Sequence, residues 1–310
     1  MPDGRHVVSS DEKGKVQRWG LEDAVGTPQG TTINAGGRVD SIVVSKDGRW
    51  IVTAIWNTAT LWDARTHEKL IKIKAHKQRV TTMDVSRDST RLATGSWDKT
   101  VLVRDIPVVE SRRYKHRFGS TGLSSLIFHW PVVTQLKHNE GVDAVTFSPD
   151  GDRVATASRG EVFVWNSVTG DQLFNIRCDV SSGTSPVVWS GDGLRIFATG
   201  SYGSITCLDI STKRTLTEWS TGGKDSYQSS IILASNGKFI ASFIQGHVTF
   251  WDMTTHDRIG PVMVDQASAI ALSPNDEYLA CATEGKKIII WRLRDILPQS
   301  YFDNVGTCTP

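Results

Sequence analysis

The chain has 310 residues, of which 39% are hydrophobic and 22% charged, and its formal net charge is +2. That composition suits a soluble globular protein long enough for two ordinary domains. The near balance of charge argues against a protein-wide field that attracts nucleic acid or an acidic membrane.

Short strands and tight turns follow one another along the whole length. Asp3-Gly4 precedes His6–Val8 and Lys15–Trp19; Asp47-Gly48 lies between Ser41–Val44 and Trp50–Thr53, with Thr60–Trp62 after them and a polar outer strand, Glu68–Lys74. Asp88-Ser89 then separates Met83–Val85 from Arg91–Thr94, and Val101–Arg104 follows. The best-formed copy runs from His138 to Asn166: Ala144–Phe147, the turn Ser148-Pro149-Asp150-Gly151, Val154–Thr156 and Val162–Trp165. Asp192-Gly193, Asn236-Gly237 and Asn275-Asp276 mark three more copies, the first with an outer strand over Lys213–Trp219. Asp-Gly between apolar runs is a strong hairpin signal because glycine accepts the positive φ that a twist-matched turn requires.

A second mark closes each third strand: Trp19, Trp62, Arg104, Trp165, Leu208, Trp251 and Trp291. Their spacing is 40 to 43 residues except for one interval of 61, between Arg104 and Trp165. A period near forty with several strands per copy predicts an all-β, seven-bladed β-propeller of four-stranded antiparallel blades. Seven blades use the whole chain, so residues 1–310 are expected to form one domain. Blade 1 lacks its innermost strand. The tail, Gln299–Val305, is expected to supply a strand, either as the outer edge of blade 7 or as the lost strand of blade 1; failing that, unpaired backbone groups are left and a truncated N-terminus is the alternative.

The endings Leu61-Trp62-Asp63, Val164-Trp165-Asn166 and Phe250-Trp251-Asp252, with the Ser-Pro-Asp-Gly turn and the upstream His76 and His138, resemble WD repeats. The uniform copies are closest in style to fungal stand-alone or NACHT-associated members of that family. The resemblance implies Asp, His, Ser and Trp tying the strands of each blade, and no blade here keeps all four. Blade 3 has His76 and Asp98 but Arg104 for Trp; blade 4 has His138 and Trp165 but Arg159-Gly160 where the Asp belongs. Packing is therefore expected to hold the blades, chiefly through Trp19, Trp62, Trp165, Trp251 and Trp291, each worth up to about 5 kcal/mol when buried. Arg104 is expected to lay its stem on the sheet and send its head to water, leaving blade 3 the loosest.

An irregular insertion at about 106–134 breaks the period. It carries Arg112, Arg113, Tyr114, Lys115, His116 and Arg117. A phosphate-gripping or acidic-partner loop, an inert loop and a retained intron all remain open.

The resemblance places partner binding at the narrow end, on the turns from strand two to three and the lead-ins to strand one. By register the turns carry Trp56, Trp97, Arg159, Tyr202, Gln245 and Glu284, and the lead-ins Arg38, Arg79, Gly141, Tyr227 and Gln266. Turns without a recognition task favour Gly, Asn, Asp and Ser, whereas Trp, Tyr and Arg anchor protein interfaces. The ring predicts a scaffold for other proteins or peptides, with an acidic or phosphorylated segment carrying one apolar anchor. The competing reading has Trp56 and Trp97 folded back over their own blades. A ligand-sensing repeat module and a propeller enzyme are the other function classes. No nucleophile elbow or phosphate loop is present, the eight histidines never pair at metal-ligand spacing, and the four cysteines are scattered, so catalysis, metals and cofactors are not expected. With no Asn-X-Ser/Thr, a polar start and no apolar run long enough to span a bilayer, a monomer in the cytoplasm, with a nuclear pool open, is expected.

Overall fold

The computed structural model describes all residues except 22–27, 108–129, 179–186, 201–202, 222–228, 245, 265–266, 284–286 and 304–310. It is a seven-bladed β-propeller. Blade 1 is β1 (His6–Ser10), β2 (Lys15–Gly20) and β3 (Pro28–Asn34). Blade 2 is β4 (Ser41–Val44), β5 (Trp50–Ile55), β6 (Thr58–Asp63) and β7 (Lys69–Lys74); blade 3 is β8 (Val80–Val85), β9 (Arg91–Ser96), β10 (Thr100–Asp105) and β11 (Val132–Lys137). Blade 4 is β12 (Ala144–Phe147), β13 (Arg153–Ser158), β14 (Glu161–Asn166) and β15 (Gln172–Arg177); blade 5 is β16 (Val187–Trp189), β17 (Arg195–Thr199), β18 (Ser204–Asp209) and β19 (Arg214–Ser220). Blade 6 is β20 (Ser229–Leu233), β21 (Phe239–Ile244), β22 (His247–Asp252) and β23 (Arg258–Val264), and blade 7 is β24 (Ala267–Leu272), β25 (Tyr278–Thr283) and β26 (Ile288–Arg292). Every pairing is antiparallel between sequence neighbours, so connections alternate between two ends. First-to-second and third-to-fourth turns share one end; second-to-third turns and the lead-ins share the other, narrow end.

Among the described residues, blades 1 and 7 each have three strands. The expected tail strand is not formed: Gln299–Tyr301 is a 3-10 turn. The Tyr301 hydroxyl donates to Asp252 at 2.5 Å, and Asn236 donates to the Tyr301 carbonyl at 2.8 Å, so the tail packs on blade 6. The aromatic and aliphatic residues of this stretch explain the choice, because Leu293, Leu297, Tyr301 and Phe302 join the apolar cluster of blades 6 and 7. Blade 1 meets both neighbours through its first turn: Gly4 lies against Asn275 of blade 7, and Pro2 against Gly48 of blade 2.

A Ser-X-Asp box shapes the first turn in blades 2 to 5: Ser45, Ser86, Ser148 and Ser190 donate to Asp47, Asp88, Asp150 and Asp192. Blades 2, 3 and 4 also touch the turn of the next blade. Asp47 N donates to Ser89 Oγ at 3.0 Å, Arg91 reaches the Gly151 carbonyl at 2.7 Å, and Arg153 reaches Gly193 at 3.2 Å.

Part of the hydrogen-bond network survives. Trp62, Trp165 and Trp251 each donate the indole N–H, at 2.9 Å, to a hydroxyl nine residues upstream, namely Thr53, Thr156 and Ser242. Trp19 donates to Ser9, ten residues upstream, at 2.8 Å. Trp291, with Ala282 at the matching position, relies on packing alone. In blade 3, His76 bridges Asp98 Oδ2 at 3.1 Å and Thr94 Oγ1 at 2.8 Å. The expectation that packing alone holds the blades is corrected to packing plus this hydroxyl link.

Arg104 is a second correction, since its residue is only 7% exposed. Its guanidinium turns inward and donates to the carbonyls of Trp130 and, at 3.5 Å, Ala75, while Nε stays unpaired. Burial lowers its pKa. Trp130 is itself buried, and its indole donates to the Asp105 carbonyl at 2.6 Å. Blade 3 buries as fully as its neighbours, with β9 and β10 showing the same buried centre as β5 and β6. The insertion also ends earlier than expected, since residues 132–134 belong to β11. The basic cluster Arg112, Arg113, Lys115 and Arg117 lies outside the described residues.

Removing the Arg104 side chain leaves a cavity and two carbonyls without their donor. Arg104→Ala is expected to lower unfolding free energy by about 3 kcal/mol, whereas the exposed Arg49→Ala is expected to cost under about 0.5 kcal/mol; urea denaturation measures both. His138 gives a pH prediction. Its Nε2 meets Thr156 Oγ1 at 3.2 Å, Nδ1 has no partner, and burial pulls the pKa down to about 4. The unfolded chain therefore takes up this proton first, and stability is lost as pH falls from the unfolded value, about 6.5, towards 4. His138→Phe is expected to shift the acid-unfolding midpoint to lower pH, and an unshifted midpoint would contradict the assignment.

Candidate partner-binding site

The narrow end of blades 2 to 4 carries the most exposed aromatic side chains of the described surface. Trp56 is 59% exposed and Trp97 is 47% exposed.

Trp56 stands at the first position of the two-residue turn between β5 and β6, with φ of +53°. Glycine is favoured there, and a bulky side chain in this region costs on the order of 1 kcal/mol or more. Two hydrogen bonds hold the strained residue: its N–H donates to Asp40 Oδ2 at 2.7 Å, and its carbonyl accepts from Val80 N at 2.7 Å. The other Asp40 oxygen takes Arg79 Nη2 at 2.8 Å, with the Asp40 side chain only 9% exposed. Arg79 lies over the Trp97 ring, 5.4 Å from its centroid, and the Arg79 carbonyl accepts the Trp97 N–H at 3.1 Å. On its other side Trp97 rests on Gly141, where an added Cβ would sit 3.2 Å from Trp97 Cδ1. One carboxylate thus fixes one tryptophan directly and the other through an arginine.

In blade 4 the place of Asp40 is taken by Asp143, which accepts the Arg159 N–H, while Glu140 faces two cations. Arg159, at φ +43°, donates to Glu140 Oε1 at 3.0 Å, and Lys99 Nζ stands 3.8 Å from Oε2. Arg38 is exposed, with no ion pair among the described residues. Tyr202, Tyr227, Gln245, Gln266 and Glu284 lie outside the described residues.

Trp56, Arg79 and Trp97 are linked through Asp40 across blades 2 and 3, and Arg159 stands apart on blade 4 with Glu140. Sequence reasoning missed the two carboxylates, Asp40 and Glu140. The only signal for them was an acidic residue within two positions of each lead-in site. Chemically the shelf offers two flat apolar rings and guanidinium groups already matched by carboxylates, which suits a folded or extended protein segment. Among the described residues, no helix is long and apolar enough to cross a membrane.

Comparison with known proteins agrees with this architecture. Residues 67–105 and 130–166 match the WD domain, G-beta repeat family, so the match stops at Asp105 and resumes at Trp130, either side of the irregular stretch. The chain is 21% identical over 270 residues to WD repeat-containing protein 1 of Gallus gallus, covering 83% of this chain and 40% of that protein. It is 28% identical over 198 residues to Autophagy-related protein 16 of Arabidopsis thaliana, covering 61% of this chain and 34% of that one. It is also 28% identical over 184 residues to Serine-threonine kinase receptor-associated protein of Gallus gallus, covering 58% and 46%. The chain spans about two fifths of the length of the first of these relatives. The repeat match, the relatives and the seven-bladed ring together support a WD-repeat β-propeller.

Proposed function

We propose that the chain is a non-catalytic platform that binds a protein segment on the shelf formed by Trp56, Arg79 and Trp97. Similarity to WD-repeat proteins supports a protein-interaction scaffold in general. The observation that carries the specific reading is the pair of exposed tryptophans, one of them kept at positive φ, whose backbone and neighbours are fixed by Asp40. Rigid aromatic side chains lose little freedom on binding and supply large contact area, so such a shelf acts as a preorganised anchor.

The partner segment carries an apolar or aromatic residue for the shelf, flanked by an acidic or phosphorylated residue for Arg38. Arg79 and Arg159 already face carboxylates, so the apolar contact contributes more than charge. The chain works as a monomer in the cytoplasm, where Cys207 and Cys281 stay as buried thiols.

Quantitative affinity capture from the native host tests the reading, with the intact chain beside a Trp56→Ala/Trp97→Ala variant of unchanged melting temperature. Loss of two central tryptophans is expected to weaken a true partner by several hundredfold or more, at roughly 2 kcal/mol or more per anchor. An unchanged partner list would overturn it. Phosphatase treatment of the extract decides the flanking chemistry: reduced recovery supports a phosphorylated flank, and unchanged recovery an acidic one.

A further inference from the structure

The outer strand of blade 2 differs from the other outer strands. Residues 64–77 carry Arg65, Lys69, Lys72, Lys74 and Lys77 against Glu68 alone, a net +4 where the whole chain carries +2. Lys69, Lys72 and Lys74 are all exposed, and none makes an ion pair among the described residues.

A β-bulge organises them. Cross-strand partners are Trp62 with Lys69, Thr60 with Lys72 and Thr58 with Lys74, and the register slips between Leu61 and Trp62. Partners in a sheet share a face, and residues 58, 60 and 62 share theirs by alternation. The slip therefore brings Lys69 onto the same face as Lys72 and Lys74, although 69 and 72 are three residues apart. The result is a row of three ammonium groups beside an open strand edge, which no backbone group of the described residues occupies.

Each of the other outer strands carries at most one cation. β3 and β23 contain Pro28 and Pro261, β15 has Arg177 paired with Glu161 at 3.0 Å, β19 has Glu218, and β11 has one lysine, Lys137. Proline and mixed charge deter strand addition. A proline-free edge with one sign of charge deters basic strands and favours acidic ones.

We infer that β7 is a second docking site, where an extended acidic segment of a partner protein adds as a fifth strand to blade 2 and sets alternate carboxylates opposite Lys69, Lys72 and Lys74. This site lies on the rim and does not rest on the narrow-end shelf.

The test uses a labelled nine-residue peptide with Glu at alternate positions and Thr and Val between, followed by fluorescence anisotropy against the full chain in 50 mM salt. The same composition with a central proline is the control. Saturable binding is expected, weakened about tenfold in the Lys69→Gln/Lys72→Gln/Lys74→Gln variant, from three exposed cross-strand charge pairs. The proline peptide is expected to bind at least tenfold more weakly, because proline lacks an N–H to pair with the edge. A variant of unchanged melting temperature that still binds fully would overturn the site. Equal binding by the proline peptide, or displacement by inositol hexakisphosphate or anionic vesicles as effective as by unlabelled peptide, would overturn strand addition and leave a plain polyanion patch. No binding at millimolar peptide would overturn the inference.

Discussion

A propeller blade has two faces and almost no core of its own, so each face must be covered by the next blade. In this chain the first turns enforce that neighbour contact. Arg91 and Arg153 reach from their own blades to the turn carbonyls of the next, Asp47 meets Ser89, and Asp276 accepts from Ser235 and Asn236. At the other end Asp40 with Arg79 and Trp97 with Gly141 also cross between blades, yet leave two tryptophan rings open to solvent. Inner strands β4, β8, β12, β16, β20 and β24 follow one another round the axis. Blade 1, without an inner strand among the described residues, packs Val16 and Ile33 on Ile51 and Trp62 of blade 2 and meets both neighbours through Pro2 and Gly4.

Much of the fold was legible because its signals are periodic. Asp-Gly turns and third-strand tryptophans repeat on a fixed spacing, and the structure places strands where they predicted. What escaped was whatever depends on a single site. Arg104 looked like a surface residue because arginine is usually hydrated, yet the Trp130 carbonyl, brought back from across the insertion, gives its head an acceptor inside. The tail was expected to supply a strand because blade 1 lacks one; contact with Asn236, Lys238 and Asp252 on blade 6 holds it in a 3-10 turn instead. The hydroxyls at Thr53, Thr156 and Ser242 were in the sequence, nine residues before each tryptophan, but a search for whole tetrads passes over a surviving pair.

At the candidate site, register alone located Trp56, Trp97, Arg79 and Arg159, because turn positions follow from strand periodicity. It did not reveal that the arginines are already paired. Asp40 meets Arg79 across blades 2 and 3, a contact set by how one blade leans on the next, whereas Glu140 and Arg159 belong to the same blade. That pairing changes the chemistry of the surface, from a cationic ring seeking phosphate to an aromatic shelf stiffened by ion pairs. The row of lysines on β7 was equally hidden, since without the bulge at Leu61/Trp62 the spacing of Lys69 and Lys72 puts them on opposite faces.

The central claim is that the shelf is preformed, with Asp40 and Arg79 fixing the two tryptophan backbones before any partner arrives. Amide hydrogen exchange of the isolated chain tests it most directly. The Trp56 N–H, bonded to Asp40, and the Trp97 N–H, bonded to the Arg79 carbonyl, are expected to exchange as slowly as mid-strand amides of β5 and β9. Exchange of both at the rate of an unstructured peptide, with the strands still protected, would contradict a preformed shelf.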